Sequence, residues 1–318
     1  MTRLLSAIAL LLMMVSGAFA QGYPTKPVRI VVAFAPGGPT DIVARLVAQK
    51  LPEILGQQVI VDNRPGAGGN IGAAMVAKSH PDGYTALVTT SAIAVNMTLF
   101  ADPGYDVERD FVPVIQIATQ PNMIFVTASS PAKNLDELIR SARGTKFVYA
   151  SPGAGTTPHL TAEMLFKVLA GLDASPVHYK GAGPAYMAVV GGEPTVGTAA
   201  ISGPLAQVRA GKLRALGVSS AQRLATLPEV PTLTESGFAG MEDYTWVAMF
   251  LPAGTPPEIA QRLNEAVNLA IQAPEIRQRL AELVFEPVGG SQAQFAGYLK
   301  AEVAKWSKVV RATGARSN

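Results

Sequence analysis

Between Phe34 and Leu51 the chain reads FAPGGPTDIVARLVAQKL. It follows the run Val28-Arg29-Ile30-Val31-Val32-Ala33, short, β-branched and preceded by Pro27, the pattern of a buried strand. Pro36-Gly37-Gly38 ends that strand. A helix begins at Thr40 or Asp41, with Ile42, Leu46 and Val47 at helical spacing up to Leu51. A strand that turns through glycine into a helix leaves the first helical N–H groups unpartnered, at the positive end of the helix dipole. The glycines let a ligand approach the backbone. Such a junction suits an anion.

Beyond this junction, Gln58–Val61 reads as a second strand, NRPGAGGN as a loop, Ile71–Ala77 as a helix and Thr85–Thr90 as a third strand. This β-α-β-α-β order favours a parallel sheet covered on both faces. Val112–Val126 is a long apolar stretch interrupted by Gln116 and by Thr119-Gln120-Pro121-Asn122, suited to carry the chain from one domain to another. The pattern then restarts: helix Leu135–Ala142, strand Phe147–Ala150, loop SPGAGTT, helix Pro158–Ala170, strand Val177–Tyr179, a helix within GAGPAYMAVVGG, and strand Leu213–Val218. Strand Thr245–Leu251 and helices Pro257–Ile271, Pro274–Val284 and Phe295–Ala312 close the chain. The expected class is α/β, two lobes with a ligand cleft between them.

The first twenty residues stand apart. Arg3, the apolar core Leu4–Val15 and Ala18-Phe19-Ala20 predict a cleavable secretory signal peptide, cut after Ala20. The 318 residues hold no cysteine, which excludes disulfides, thiol nucleophiles and thiolate metal sites. The net charge is +3, reduced by one when Arg3 leaves, too small a surplus for a nucleic-acid partner. Charged residues make up 15%, against about 25% in an average globular protein. A chain like this has large cores and few charges for a site. No long apolar segment follows residue 20.

The loop SPGAGTTPHL, Ser151–Leu160, repeats the logic of the first junction, with Thr156 and Thr157 adding hydroxyl donors. Asp41 would repel an anion held against it, so its role is to shape its helix end by accepting a backbone N–H. Other nucleotide readings fail. GxxxxGK[ST] is absent, and GAGGNIG at Gly66–Gly72 lacks the glycine spacing of a dinucleotide fingerprint.

Assembled chemistry is missing. His80, His159 and His178 show no metal-ligand spacing, and no metal or cofactor is implied. His159, in the first turn of a helix, reads equally as a ligand contact or a packed or capping residue. There is no G-x-S-x-G and no facing carboxylate pair. Asp102, Asp106, Glu108 and Asp110 read as a solvated loop. Lys180 is either a cationic contact or a surface residue. No residue is assigned a catalytic role, and the pattern is one for holding a ligand.

The motifs YPTKPVRIVVAFAPGGPTDIVARLVAQKL, VDNRPGAGGNIGAAMVAKSHPDGYT, SPGAGTTPHLTAEML, YKGAGPA, AGKLRALGVSSAQRLATLPEVPTLTESG and FLPAGTPPEI, in this order from residue 23 onward, resemble the Bug family. These are the TctC-like solute-binding proteins of tripartite tricarboxylate transporters. The resemblance implies a periplasmic-binding-protein fold, type II-like. One lobe would be 21–123 with 244–318, and the other 124–243. It implies a small di- or tricarboxylate or aromatic acid as ligand, membrane subunits of a transporter as partners, and neither enzyme activity nor cofactor; a monomer is the default expectation. A ligand-sensing receptor serving a signalling partner is the alternative.

Carried onto this chain, the two clamps are Phe34, Ala35, Pro36, Gly37, Gly38 and Asp41, and Ala154, Gly155, Thr156, Thr157 and His159. Ser91, Lys180, Gly181–Gly183, Thr198, Ala199 and Ala200 complete the candidate set. One segment departs from the family pattern: Glu193-Pro194-Thr195-Val196-Gly197-Thr198-Ala199-Ala200-Ile201-Ser202 has small side chains where relatives carry larger ones. If Thr198–Ser202 line the cleft, the distal pocket is roomy and suits a longer or aromatic ligand. Pro194 falls where a strand is expected.

Overall fold

The computed structural model describes residues 22–313, so the expected leader lies outside it. Strand β1 (Val28–Val32) lies parallel to β2 (Val59–Asn63) and β3 (Thr85–Thr90), as its short buried run predicts. Helix α1 (Pro39–Leu55) covers one face, burying Val43, Ala44, Val47 and Leu51. A 3-10 turn at Ala67–Gly69 leads into α2 (Asn70–Ala77), and α3 (Ala92–Leu99) follows β3.

The element that organises the molecule is β4, Phe111–Thr127. Its first part, Phe111–Pro121, pairs antiparallel with β9 (Tyr244–Pro252), which also pairs with β3. Its last part, Asn122–Thr127, pairs antiparallel with β7 (Val196–Ala200) and β8 (Leu213–Val218). Strands β5 (Phe147–Ser151) and β6 (Ala174–His178) complete that side, giving the order β2-β1-β3-β9-β4-β7-β5-β6. The fold is mixed α/β and two-lobed, and β4 runs through both lobes.

Each lobe is a sheet between two helical layers. In the first, α1 and α8 (Pro257–Gln272) pack on one face with α9 (Pro274–Glu282). The other face holds α2, α3 and the closing helix α10 (Gln292–Thr313). Trp246 and Trp306 both donate from Nε1 to the buried Glu302 Oε2 at 2.9 Å, which ties α10 to β9. In the second lobe, α4 (Leu135–Ala142) and α5 (Thr157–Glu163) cover one face. Helices α6 (Ala182–Val190) and α7 (Leu205–Arg209) cover the other. Strand β10 (Glu286–Pro287) adds a short edge to β4.

The differences from the sequence reading have physical reasons. Helix α3 is buried nearly all round, so its sequence lacks the polar face that marks a helix. Strand β7 reads VGTAA, small residues of weak β preference, yet it is buried throughout between β4 and β5. Pro194 lies just before it and leaves its ladder intact. The expected helix Pro158–Ala170 is α5 only to Glu163, and then a π-helical turn, Met164–Leu169. The expected strand Val177–Tyr179 is the end of β6.

Candidate functional site

The loop leaving β1 is held by backbone and by one carboxylate. Ala35 N–H donates to the Lys180 carbonyl of the other lobe at 2.9 Å. Asp41, buried in the first turn of α1, accepts from Gly37 N at 3.1 Å, Arg45 Nε at 2.9 Å and Asn63 Nδ2 at 3.0 Å. Asn63 Nδ2 also donates to the Phe34 carbonyl at 2.9 Å. Gly37 sits at φ 84°, a left-handed conformation that favours glycine. The cap residue of α1 is Gly38, which has no side chain, so no side chain caps the start of the helix. Gly38, Pro39 and Thr40 line a cavity there instead.

The opposite wall comes from the β5–α5 loop. Gly155 has φ 76°, and Thr156, the cap residue of α5, spends its hydroxyl on the Gly153 carbonyl at 2.8 Å. Again no side chain caps the helix end. The two lobes touch here. A Cβ on Gly68 would collide with the Ala154 carbonyl, and one on Gly155 with Asn96 Oδ1. The two lobes are therefore in direct contact through these loops.

A one-way hydroxyl chain crosses behind the cavity. Thr245 Oγ1 donates to Asn122 Oδ1 at 2.6 Å, an acceptor-only oxygen. Thr157 Oγ1, 2.6 Å from Thr245 Oγ1, must therefore donate to it, and Ser91 Oγ donates to Thr157 at 3.3 Å. Asn122 Nδ2 then donates to Asp243 at 3.0 Å, as does Thr161 Oγ1 at 2.9 Å. Burial first, and Glu302 less so, pushes the Asp243 carboxyl up to about 6.

The cavity between the loops holds about 330 Å³ of non-atom space, open solvent at its mouth included. Phe34, Gly38, Pro39, Thr40 and Thr90 form one wall. Pro152, Thr156, Pro158, Ala182 and Ala200 face them, and Thr245 floors the space. Among the described residues, none lining it is charged. An anion there meets two helix N-termini and threonine hydroxyls. Such a site holds and releases without assembling a nucleophile or a base.

Of the expected residues, Phe34, Gly38, Thr156, Ala182 and Ala200 line the cavity directly. Ala35, Gly37 and Gly181 form the contact between lobes around it. A Cβ on Gly181 would stand 3.0 Å from Ala35 N, and one on Gly37 3.4 Å from the Tyr186 hydroxyl. Pro36 packs its carbonyl against Gly183. Ser91 and Thr157 belong to the hydroxyl chain. Lys180 contributes its carbonyl while its side chain is exposed. Thr198 donates to the Pro158 carbonyl at 3.1 Å. Ala199 packs in the outer core with Met123 and Ile201. His159 is buried within the second lobe. It accepts from Gly155 N at 3.4 Å on Nδ1 and meets the His178 ring edge-on at 4.7 Å. Burial, with help from His178 and Lys167, pushes its imidazole down to about 3. It is neutral and supports the loop.

The sequence reading did not single out Thr40, Thr90, Pro152, Pro158 and Thr245. One signal was available: Gln120-Pro121-Asn122 breaks an otherwise apolar strand, and Asn122 is the acceptor that ends the hydroxyl chain. Among the described residues no cluster of acidic, His or Cys side chains could hold a metal, and no helix is long and apolar enough to cross a membrane.

Comparisons with known proteins agree with this fold. The family model described as tripartite tricarboxylate transporter family receptor matches residues 43–315. BugT of Bordetella pertussis is 36% identical over 323 residues, covering 99% of both chains. The UPF0065 protein in the tcbD-tcbE intergenic region of Pseudomonas sp. (strain P51) is 38% identical, over 97% of this chain and 93% of that one. Among solved structures, R. palustris Rpa4515 with adipate is 37% identical, with TM-score 0.88 over 92% of this chain and 99% of that one. MatC from Rhodopseudomonas palustris with bound malate is 32% identical, with TM-score 0.86 over 91% and 100%. The periplasmic binding protein BugD is 31% identical, with TM-score 0.89 over 93% and 100%.

Proposed function

Because the chain belongs to the tripartite tricarboxylate transporter receptor family, we propose that it captures a small carboxylate between its two lobes and presents it to the membrane subunits of such a transporter. It is a solute-binding receptor and not an enzyme, as the family and its solved neighbours are. Proteins of this family are periplasmic binding proteins. The leader Met1–Ala20, cleaved before Gln21, is the export signal in this reading.

One observation carries the carboxylate: two helix N-termini, both without a side-chain cap, line one uncharged cavity from opposite lobes. Helix ends and neutral hydroxyls stabilise an anion without a fixed cation. Solved relatives bound to adipate and malate support the same class. Phe34–Gly38 form one clamp, with Asp41 shaping it, and Ala154–Thr157 the other. Lys180 and Gly181 close the space between them. The lobes are 21–123 with 244–318, and 124–243, crossing at β4 and just before β9. The receptor works as a monomer.

The test is a thermal-shift screen of the mature protein against succinate, malate, citrate, adipate, nicotinate and terephthalate, with sugars and amines as controls. Ligand at about 100 times its Kd adds about 2.7 kcal/mol to stability, enough for a shift of several degrees. A response confined to acids supports the reading. A folded, ligand-free protein that responds to no acid overturns it.

A further inference from the structure

Two hydrogen-bonding groups beside the cavity floor are buried and unspent. Gln120 is 1% exposed and Ser202 4% exposed. Gln120 Nε2 and Ser202 Oγ have no hydrogen-bond partner, while Gln120 Oε1 accepts from Ser202 N at 2.9 Å. Buried polar groups are nearly always partnered, so an unspent pair is a sign of something that binds there.

Neither is itself a lining residue, but the sheet register sets Gln120 beside two residues that are. Gln120 on β4 pairs with Thr245 on β9, and Asn122 pairs with Ala200 on β7. Paired residues, and residues two apart on a strand, share a face. Gln120 and Asn122 therefore stand on the same face as Thr245 and Ala200, both of which line the cavity. The Thr245–Asn122 hydrogen bond lies on that face. Ile201 N donates to the Pro121 carbonyl at 3.1 Å, which carries the pairing on to bring Ser202 beside Gln120.

The other polar groups of this floor are committed. Asn122 gives its amide to Asp243 and accepts from Thr245, and Thr198 is bound to Pro158. What remains is an amide NH2 and a hydroxyl, side by side, with no charge of their own. An amide NH2 can only donate, and its oxygen is already taken by Ser202 N.

We propose that Gln120 Nε2 and Ser202 Oγ form a second polar subsite that receives the far carboxylate of a dicarboxylate ligand whose first carboxylate lies against the two helix ends. The proposal rests on the carboxylate reading above and sharpens it to a diacid. A ligand with an apolar or aromatic far end leaves both donors unpaired on closure. A far-end ammonium finds no acceptor in the Gln120 amide. The small side chains of Thr198–Ser202 then give access to these two donors rather than room for a ring.

Isothermal titration of the mature protein with matched pairs tests this: succinate against butyrate, and adipate against hexanoate. The wild type is expected to prefer the diacid of at least one pair by tenfold or more. Gln120→Met should weaken that diacid by more than tenfold and its monoacid by less than twofold. Ser202→Ala, a milder change, should reduce the same preference severalfold. A purely structural defect lowers both members of a pair alike, so the ratio is the readout. Variants that leave the ratio unchanged, or a wild type that favours the monoacid in both pairs, overturn the subsite and leave the carboxylate reading standing. A wild type that binds no carboxylate in the wider screen overturns both.

Discussion

The Pro36 carbonyl sits so close to Gly183 that a side chain on Gly183 could not be accommodated while the lobes are closed. Pro36 belongs to the first lobe and Gly183 to the first turn of α6 in the second. The contact exists only when the two meet, and a carbonyl cannot move aside as a flexible side chain can.

Gly183→Ala should therefore leave the unliganded fold intact and impair closure. Gly183 does not have a left-handed φ, and alanine is favoured over glycine in a helix by about 1 kcal/mol. The expected result is an unchanged or slightly higher melting temperature without ligand, with affinity for the best carboxylate at least tenfold weaker. Calorimetry beside a melting curve checks both. Wild-type affinity would mean that closure does not press these two atoms together.

Asp41 acts on the fold as well as on the loop. Asp41→Ala removes the acceptor shared by Gly37 N, Arg45 Nε and Asn63 Nδ2. Losing a buried charge-assisted acceptor costs about 2 kcal/mol. Urea denaturation should show that loss, and ligand affinity should fall with it because the clamp is no longer ordered. A variant with wild-type stability would show that the loop is held by its backbone alone.

Acid should weaken the molecule through its histidines. His159 is pushed from 6.5 down to about 3, and His178 is lowered too, each mainly by burial. The unfolded chain binds those protons below about pH 6.5 and the folded chain does not, so stability is full above 6.5 and falls as pH drops. Asp243 has the opposite sign. Its pKa is raised from 3.8 to about 6, so its contribution is largest in acid and falls as pH rises between those values. Urea titrations at pH 7, 5.5 and 4.5 should show a net decline toward acid, shallower in His159→Gln and steeper in Asp243→Asn. An unchanged slope in His159→Gln would remove the imidazole from the account.

Ala199 and Ala200 are neighbours with opposite fates. Ala200 lines the cavity, while Ala199 is packed against Met123 and Ile201 on the other side of β7. Ala200→Phe should fill the site and weaken ligand more than a hundredfold in a protein that still folds. Ala199→Phe overpacks a core, at a cost of about 1–3 kcal/mol, and should show as lost stability instead. The same phenotype from both would contradict the alternation of β7.

The lobes were legible in the sequence because their strands are β-branched and their helices mostly two-faced. Thr85–Thr90, Leu135–Ala142 and Leu213–Val218 have the bounds expected of them. The two glycine loops were legible because a strand, a Pro-Gly turn and a helix start leave few other conformations. Helix α3 and strand β7 were not, since burial on all sides erases periodicity. Thr245 and Gln120 could not be read as cavity neighbours, because that depends on the β4–β9 register, a pairing between positions 120 and 245.

The continuity of β4 sets how such a receptor moves. One strand is the spine of both lobes, and its pairing passes from β9 to β7 at Pro121 and Asn122. Opening is then the flexing of a leaf spring rather than the swing of a door on a loose strap. The rest angle is a property of the strand's stiffness, and each capture and release bends the same short span.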